Sequence, residues 1–211
     1  TEDILDLTHA QQMLDSEHYG MQDVKDRILE YLATLMLLKK RGQDGIGKSP
    51  VLLLVGLQGV GKTTLAKSVA DTLGRKFIRI PMGGIGSPLE LRGKSKALPG
   101  AEPGQIVKAL MKTQVRNPLI LLDEIEKASL DVLNILLQIL EYGHLTDGKG
   151  NKVSFKNTVI ILTSNVGVDE LKVGGTVGFK AIESKGFEWD YDVVREKLLQ
   201  ELKEYLRPEL L

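Results

Sequence analysis

Cysteine is absent from the 211 residues, so disulfides, thiol catalysis and cysteine-bound zinc play no part in this chain. Histidine is scarce: His9, His18 and His144 are too scattered to form a metal cluster. Neither sign of charge predominates. The 28 basic residues balance 28 acidic ones, so no overall field gathers nucleic acid, and only a local basic patch remains open to it. No apolar run approaches the roughly 20 residues of a bilayer span, so no membrane partner is expected. No signal-peptide pattern opens the chain, which starts at Thr1 without a methionine, as a piece cut from something longer would. The expected compartment is the cytoplasm or an organelle interior such as the mitochondrial matrix.

What is present is the balance of an ordinary globular protein, 42% hydrophobic and 27% charged, and 211 residues fit one large or two small domains. The informative stretch is 51–70, VLLLVGLQGVGKTTLAKSVA. A five-residue apolar run of strand length leads into a glycine-rich turn, and residues 62–70 read as the start of a helix. Positions 56–63 fit the phosphate-loop pattern at every fixed position. Side chains at the glycines would keep backbone N–H groups from closing around a phosphate, and the helix start adds free donors and partial positive charge. Lys62 then places an ammonium against the outer phosphates, and the Thr63 hydroxyl is positioned for a magnesium ion. The expected nucleotide-binding set is Gln58, Gly59, Val60, Gly61, Lys62, Thr63 and Thr64.

A second constellation is 119–124, four apolar residues ending in Asp123-Glu124. A buried strand that ends so delivers carboxylates into a site. In phosphate-loop enzymes the first acid, here Asp123, helps hold magnesium through its water shell, and the second, here Glu124, orients and deprotonates the attacking water. The plainer alternative is that both acids cap the following helix. Asn165, after the apolar run 158–163, sits where a polar side chain reaches the terminal phosphate or the attacking water, although asparagine after a strand also serves turns.

Around these motifs the pattern predicts helices over 6–15, with Leu7, Ala10 and Leu14 on one side, and from Gly20 to about Arg41-Gly42, with Val24, Ile28, Tyr31, Leu32, Leu35 and Leu38 recurring. A polar connection follows over 43–50. A strand over 76–80, a long irregular surface loop over 81–104, and a helix over 105–115 burying Ile106, Val107, Leu110 and Met111 come next. Ser129 reads as an N-cap, 132–140 as a deeply packed helix, 145–155 as a hairpin, 166–189 as a loop and 191–205 as an amphipathic helix. The expected fold is a three-layer α/β/α architecture with a mostly parallel sheet. Residues 1–45 form a helical lead-in and 46–211 the α/β nucleotide-binding unit.

The set LLLVGLQGVGKTT, LILLDEIEKA and VIILTSN resembles the AAA+ ATPases, with Asn165 matching their first sensor residue. The first half looks like Lon proteases, in LDSEHYGMQDVKDRILEYLA, ELRGKSK and PGQIVKALMK. The second half looks more like Clp and ClpB-type unfoldases, through the region around the hairpin and LRPEL. A hybrid of this kind is either a natural member or an engineered chimera. The resemblance implies ATP or ADP with Mg2+ as cofactors, a ring, a homo-hexamer in the full-length protein, and ATP-driven unfolding or remodelling of a polypeptide substrate. It places His18, Tyr19 and Gly20 around the adenine and 93–104 at the loop that lines the pore. There the chain has Leu98-Pro99 where the families carry an aromatic followed by an aliphatic residue, so Leu98 is either a modified pore contact or a plain loop residue. The families' arginine finger, fifth strand and helical lid come after the position of Leu211, and Arg207 is not the finger. Without a finger, commonly worth about three to five decades in rate, hydrolysis should be weak, and the missing strand would expose a sheet edge. No Lon-type catalytic serine or lysine is assignable, so any peptidase activity belongs to another domain or a partner. The rival readings are a nucleic-acid motor or loader, and an assembly module that uses ATP as a structural ligand.

Overall fold

The computed structural model describes residues 3–4, 6–41, 51–56, 58–95 and 101–165. The expectations for 43–50, for Leu98 and Pro99, for the segments 166–189 and 191–205, and for Arg207 lie outside these residues. In chain order, α1 (Leu7–Glu17) and α2 (Gln22–Lys40) precede β1 (Val51–Val55), α3 (Lys62–Thr72) and β2 (Phe77–Pro81). Next come α4 (Pro88–Arg92), α5 (Gln105–Thr113) and β3 (Leu119–Asp123), then α6 (Leu130–Tyr142), the hairpin β4 (His144–Thr146) and β5 (Lys152–Ser154), and β6 (Val159–Ser164).

The two apolar runs that became β3 and β6 are buried along their whole length, as strands covered on both faces are. They pair in parallel at the centre of a sheet ordered β1-β6-β3-β2, with every pairing parallel. Successive side chains point to opposite faces. Leu119, Leu121, Val159 and Ile161 therefore pack against α1, α2 and α3 on one side. Ile120, Leu122, Ile160 and Leu162 pack with Ile106 of α5 and the apolar stripe of α6 on the other. This is the expected three-layer arrangement, and the N-terminal helices share the core of α3. Asp6 caps α1 by accepting from the N–H groups of Thr8 and His9, and Ser129 caps α6. Parallel pairing brings the C-terminal ends of all four strands to one edge, where open α/β sheets bind ligands.

Two expectations need correction. Residues 81–95 and 101–104 do not form an irregular surface loop: a 3-10 turn (Met82–Gly84) and α4 occupy the first part, and Met82, Ile85 and Leu91 are buried. Two glycines of this stretch, Gly93 and Gly104, serve close backbone contact, as does Gly148 of the hairpin turn. A Cβ at Gly104 would fall 1.7 Å from the Leu91 carbonyl oxygen, and one at Gly148 would fall 2.3 Å from that of Gly93. The Gly148 N–H donates to Arg92 O at 2.9 Å, and Gly93 bridges Pro103. Met111 is 65% exposed, because it lies on the flank of a stripe whose buried members are Ile106 and Val107. Leu7, in the first turn of α1, is exposed while Ala10 and Leu14 are buried.

The hairpin turn is held by Asp147, which accepts from Lys149 N at 2.9 Å and from Asn151 N and Nδ2 at 2.7 and 3.0 Å. Burial pushes the Asp147 carboxyl up, but these hydrogen bonds outweigh it and hold the group below the ordinary aspartate value. The stability this carboxylate contributes is present above the unfolded-chain value of about 3.9 and is lost as pH falls through the lower folded value. Asp147→Asn is expected to make stability fall less steeply with acid than in the parent. Urea unfolding at neutral pH and near pH ~3 reads the difference.

Candidate nucleotide site

At the end of β1 the chain turns through residues 56–61 and enters α3 at Lys62. Gly61 takes the N-cap position at φ +96, a left-handed conformation that side chains resist, and a Cβ there would come 3.0 Å from Thr64 Oγ1. Among the described residues no side chain caps the first turn of α3, so its N–H groups and the positive end of the helix dipole face the loop. Gln58 and Val60 are exposed on the loop, Thr63 is half-buried at the second position of the helix, and the Thr64 hydroxyl donates to Gly61 O at 2.7 Å.

The Lys62 ammonium joins two strand ends, donating to Gly56 O at 2.6 Å and to Asn165 Oδ1 at 2.7 Å. Burial draws it below the ordinary lysine value, against the opposing fields of Glu126, Asp123 and Glu124. Asp123, 4% exposed at the end of β3, has both oxygens engaged. Thr163 donates its hydroxyl to Oδ1. Arg79 of β2 donates Nε to Oδ2 at 2.7 Å, and its Nη2 lies 2.6 Å from the same oxygen.

The Thr163 oxygen accepts the Glu124 N–H at 3.0 Å, so one hydroxyl fixes both acids. Glu124 has left-handed backbone, φ 59 and ψ 56, which costs an L-residue about 1–2 kcal/mol and is concentrated at functional sites. Its Oε2 accepts from Lys127 Nζ at 2.8 Å, a bond that raises the lysine above its ordinary value. Gly83 leaves room for the lysine stem, since a Cβ there would lie 2.9 Å from Lys127 Cδ. Both Glu126 carboxylate oxygens are buried without a hydrogen-bond partner among the described residues.

Of the residues expected at the site, Lys62, Asn165, Asp123 and Glu124 converge. His18 instead turns inward, its Nε2 2.8 Å from Ser68 Oγ on α3, while Tyr19 is fully exposed and Gly20 makes a left-handed turn at φ +67. Beside that turn a cavity of about 460 Å³ opens between α2 and β1, lined by Met21, Val24, Ile28, Leu54, Val60 and Lys62 among others. Its mostly apolar wall and its floor at the glycine loop fit a base joined to phosphates. Magnesium usually takes one or two protein oxygens and completes its shell with phosphates and water, a demand that Asp123 and the Thr63 hydroxyl can meet. Sequence reasoning missed Arg79, Thr163, Lys127 and Glu126.

A parallel sheet whose strand ends meet at a glycine loop and helix start defines a phosphate-loop nucleotide-binding protein. The sequence model of the AAA domain (Cdc48 subfamily) matches residues 48–211, and the chain belongs to that family, the AAA+ ATPases. It is similar to Lon protease 2 of Thermus thermophilus, 42% identical over 151 residues, covering 67% of this chain and 19% of that protein. The Lon protease of Clostridium acetobutylicum is 34% identical over 220 residues, covering 99% of this chain and 27% of its own length. Among solved structures, a closed-state cryo-EM reconstruction of Hsp104 with ATPγS and FITC casein matches 96% of this chain and 33% of its own, at 27% identity and a TM-score of 0.74. The chain thus resembles the ATPase cores of both Lon and Clp-type unfoldases, and it spans a third or less of these relatives. Among the described residues, no helix is long and apolar enough to cross a membrane.

Proposed function

We propose that this site binds ATP with Mg2+ and hydrolyses it, and that the chain is the motor core of a hexameric ring that unfolds or remodels polypeptides. The observation that carries the reading is the meeting of Lys62, at the start of α3, with Asn165, beside Asp123 and Glu124 at the ends of adjacent parallel strands. Backbone N–H groups of residues 58–64 cradle the phosphates, and Lys62 exchanges its Gly56 and Asn165 partners for the outer phosphate oxygens. Thr63 and Asp123 would hold magnesium, which would supply charge neutralisation for the phosphates. Glu124 takes the proton of the attacking water, and Asn165 steadies the terminal phosphate or that water. The base enters the cavity beside the Gly20 turn, with Met21 against it and His18 bracing the turn through Ser68.

Calorimetric titration with ATP, with and without Mg2+, tests the nucleotide part. Asp123→Asn is expected to remove most of the gain that Mg2+ confers. Polypeptide work is tested on the full-length protein: an unstructured protein such as casein is expected to stimulate turnover, and duplex DNA is not. DNA stimulation that falls steeply with salt would replace the unfoldase reading with a nucleic-acid motor.

A further inference from the structure

We propose that Arg79 is the resident counter-ion of Asp123 and that magnesium enters by exchange with this guanidinium, so that Arg79 sets how much Mg2+ the protein needs to hold nucleotide. The inference rests on the reading of Asp123 as the magnesium-holding residue. A carboxylate as buried as Asp123 is strongly disfavoured without a cation and full hydrogen bonding. Thr163 has one hydrogen and gives it to Oδ1. Oδ2 is served by two nitrogens of Arg79. The register explains the reach: Asp123 pairs with Pro81, and Arg79 lies two residues earlier on β2, on the same face of the sheet.

The pair is asymmetric. The Asp123 side chain is 6% exposed and cannot leave, whereas that of Arg79 is 54% exposed and can withdraw into water. A doubly charged ion arriving at Asp123 repels a guanidinium placed on the same carboxylate, and the guanidinium has somewhere to go. Metal binding therefore includes the work of breaking a charge-assisted contact, which a protein without Arg79 would not perform.

A plain staple between β2 and β3 makes a different prediction, since its loss lowers stability equally with and without ligand and leaves the Mg2+ requirement where it was. The test is a Mg2+ titration of a fluorescent ADP analogue bound to the full chain, for the parent, R79Q, R79K and D123N, together with thermal unfolding of each. R79Q is expected to lower the half-saturating Mg2+ by about three- to tenfold. Its unfolding midpoint should drop without Mg2+ and recover with Mg2+ and nucleotide. R79K, which keeps the charge but offers a point donor in place of a fork, is expected to fall between parent and R79Q, and it carries the test if R79Q does not fold. An unchanged or raised Mg2+ requirement in the Arg79 variants overturns the inference. If D123N leaves the Mg2+ dependence intact, the reading of Asp123 itself fails. A D123N effect with silent Arg79 variants sinks only the exchange.

Discussion

Lys62→Ala is expected to weaken ATP binding by about a hundredfold or more, on the scale of one or two charge-assisted hydrogen bonds to phosphate. The side chain is half-buried and contributes no apolar core, so the fold should persist, and an unchanged unfolding midpoint beside a lost isotherm would confirm that the defect is local. Alanine strands the Gly56 carbonyl and the Asn165 amide without their shared donor, but both sit at the rim where water can replace it. The lowered value of Lys62 adds a pH signature. Binding that depends on the ammonium is full below that value and weakens as pH rises through it, earlier than an ordinary lysine near ~10.4 would allow. Lys62→Arg should erase this alkaline loss. An alanine variant that binds within threefold of the parent would mean that another group meets the phosphates.

Glu124→Gln should leave binding nearly intact and reduce turnover by about two to four decades, the usual contribution of a positioned base. Glutamine keeps the size, the left-handed backbone and the Glu124 N–H bond to Thr163, so the variant removes proton affinity and little else. The Lys127 contact survives as a bond to a neutral oxygen. Phosphate release measured alongside the binding isotherm separates the two effects. Turnover equal to the parent's would remove Glu124 from the role of base and turn attention to Glu126, whose carboxylate is buried nearby with no hydrogen-bond partner among the described residues.

Much of this arrangement is legible in the sequence, because it is written in local order. The phosphate loop, Asp123-Glu124 and the runs of β3 and β6 each depend on a few consecutive residues, and their spacing carries the chemistry. The partners of those residues are not local. Thr163 meets Asp123 only because β6 lies beside β3 with a register that sets them side by side, and Arg79 reaches Asp123 only because β2 flanks β3 on the other side. No periodicity within one strand reveals which strand is its neighbour. Residues 81–95 and 101–104 misled for another reason. Their glycine and proline content suggests an irregular surface loop on composition alone, whereas Gly93 and Gly104 are needed where two backbones touch. The resemblance places His18 at the adenine, whereas its inward bond to Ser68 depends on how α1 lies across α3.

The contact among Gly93, Gly104 and Gly148 has a mechanical consequence. Side chains yield under load by changing rotamer, but here the end of α4, the start of α5 and the hairpin turn are riveted backbone to backbone, with no such compliance. The joint acts as a strut. From this joint the chain runs on through α5 into β3 and through β5 into β6, the strands that lead to Asp123 and Asn165. Only a short run of chain separates that joint from each strand end, and Gly148→Ala is the change that would force its backbones apart.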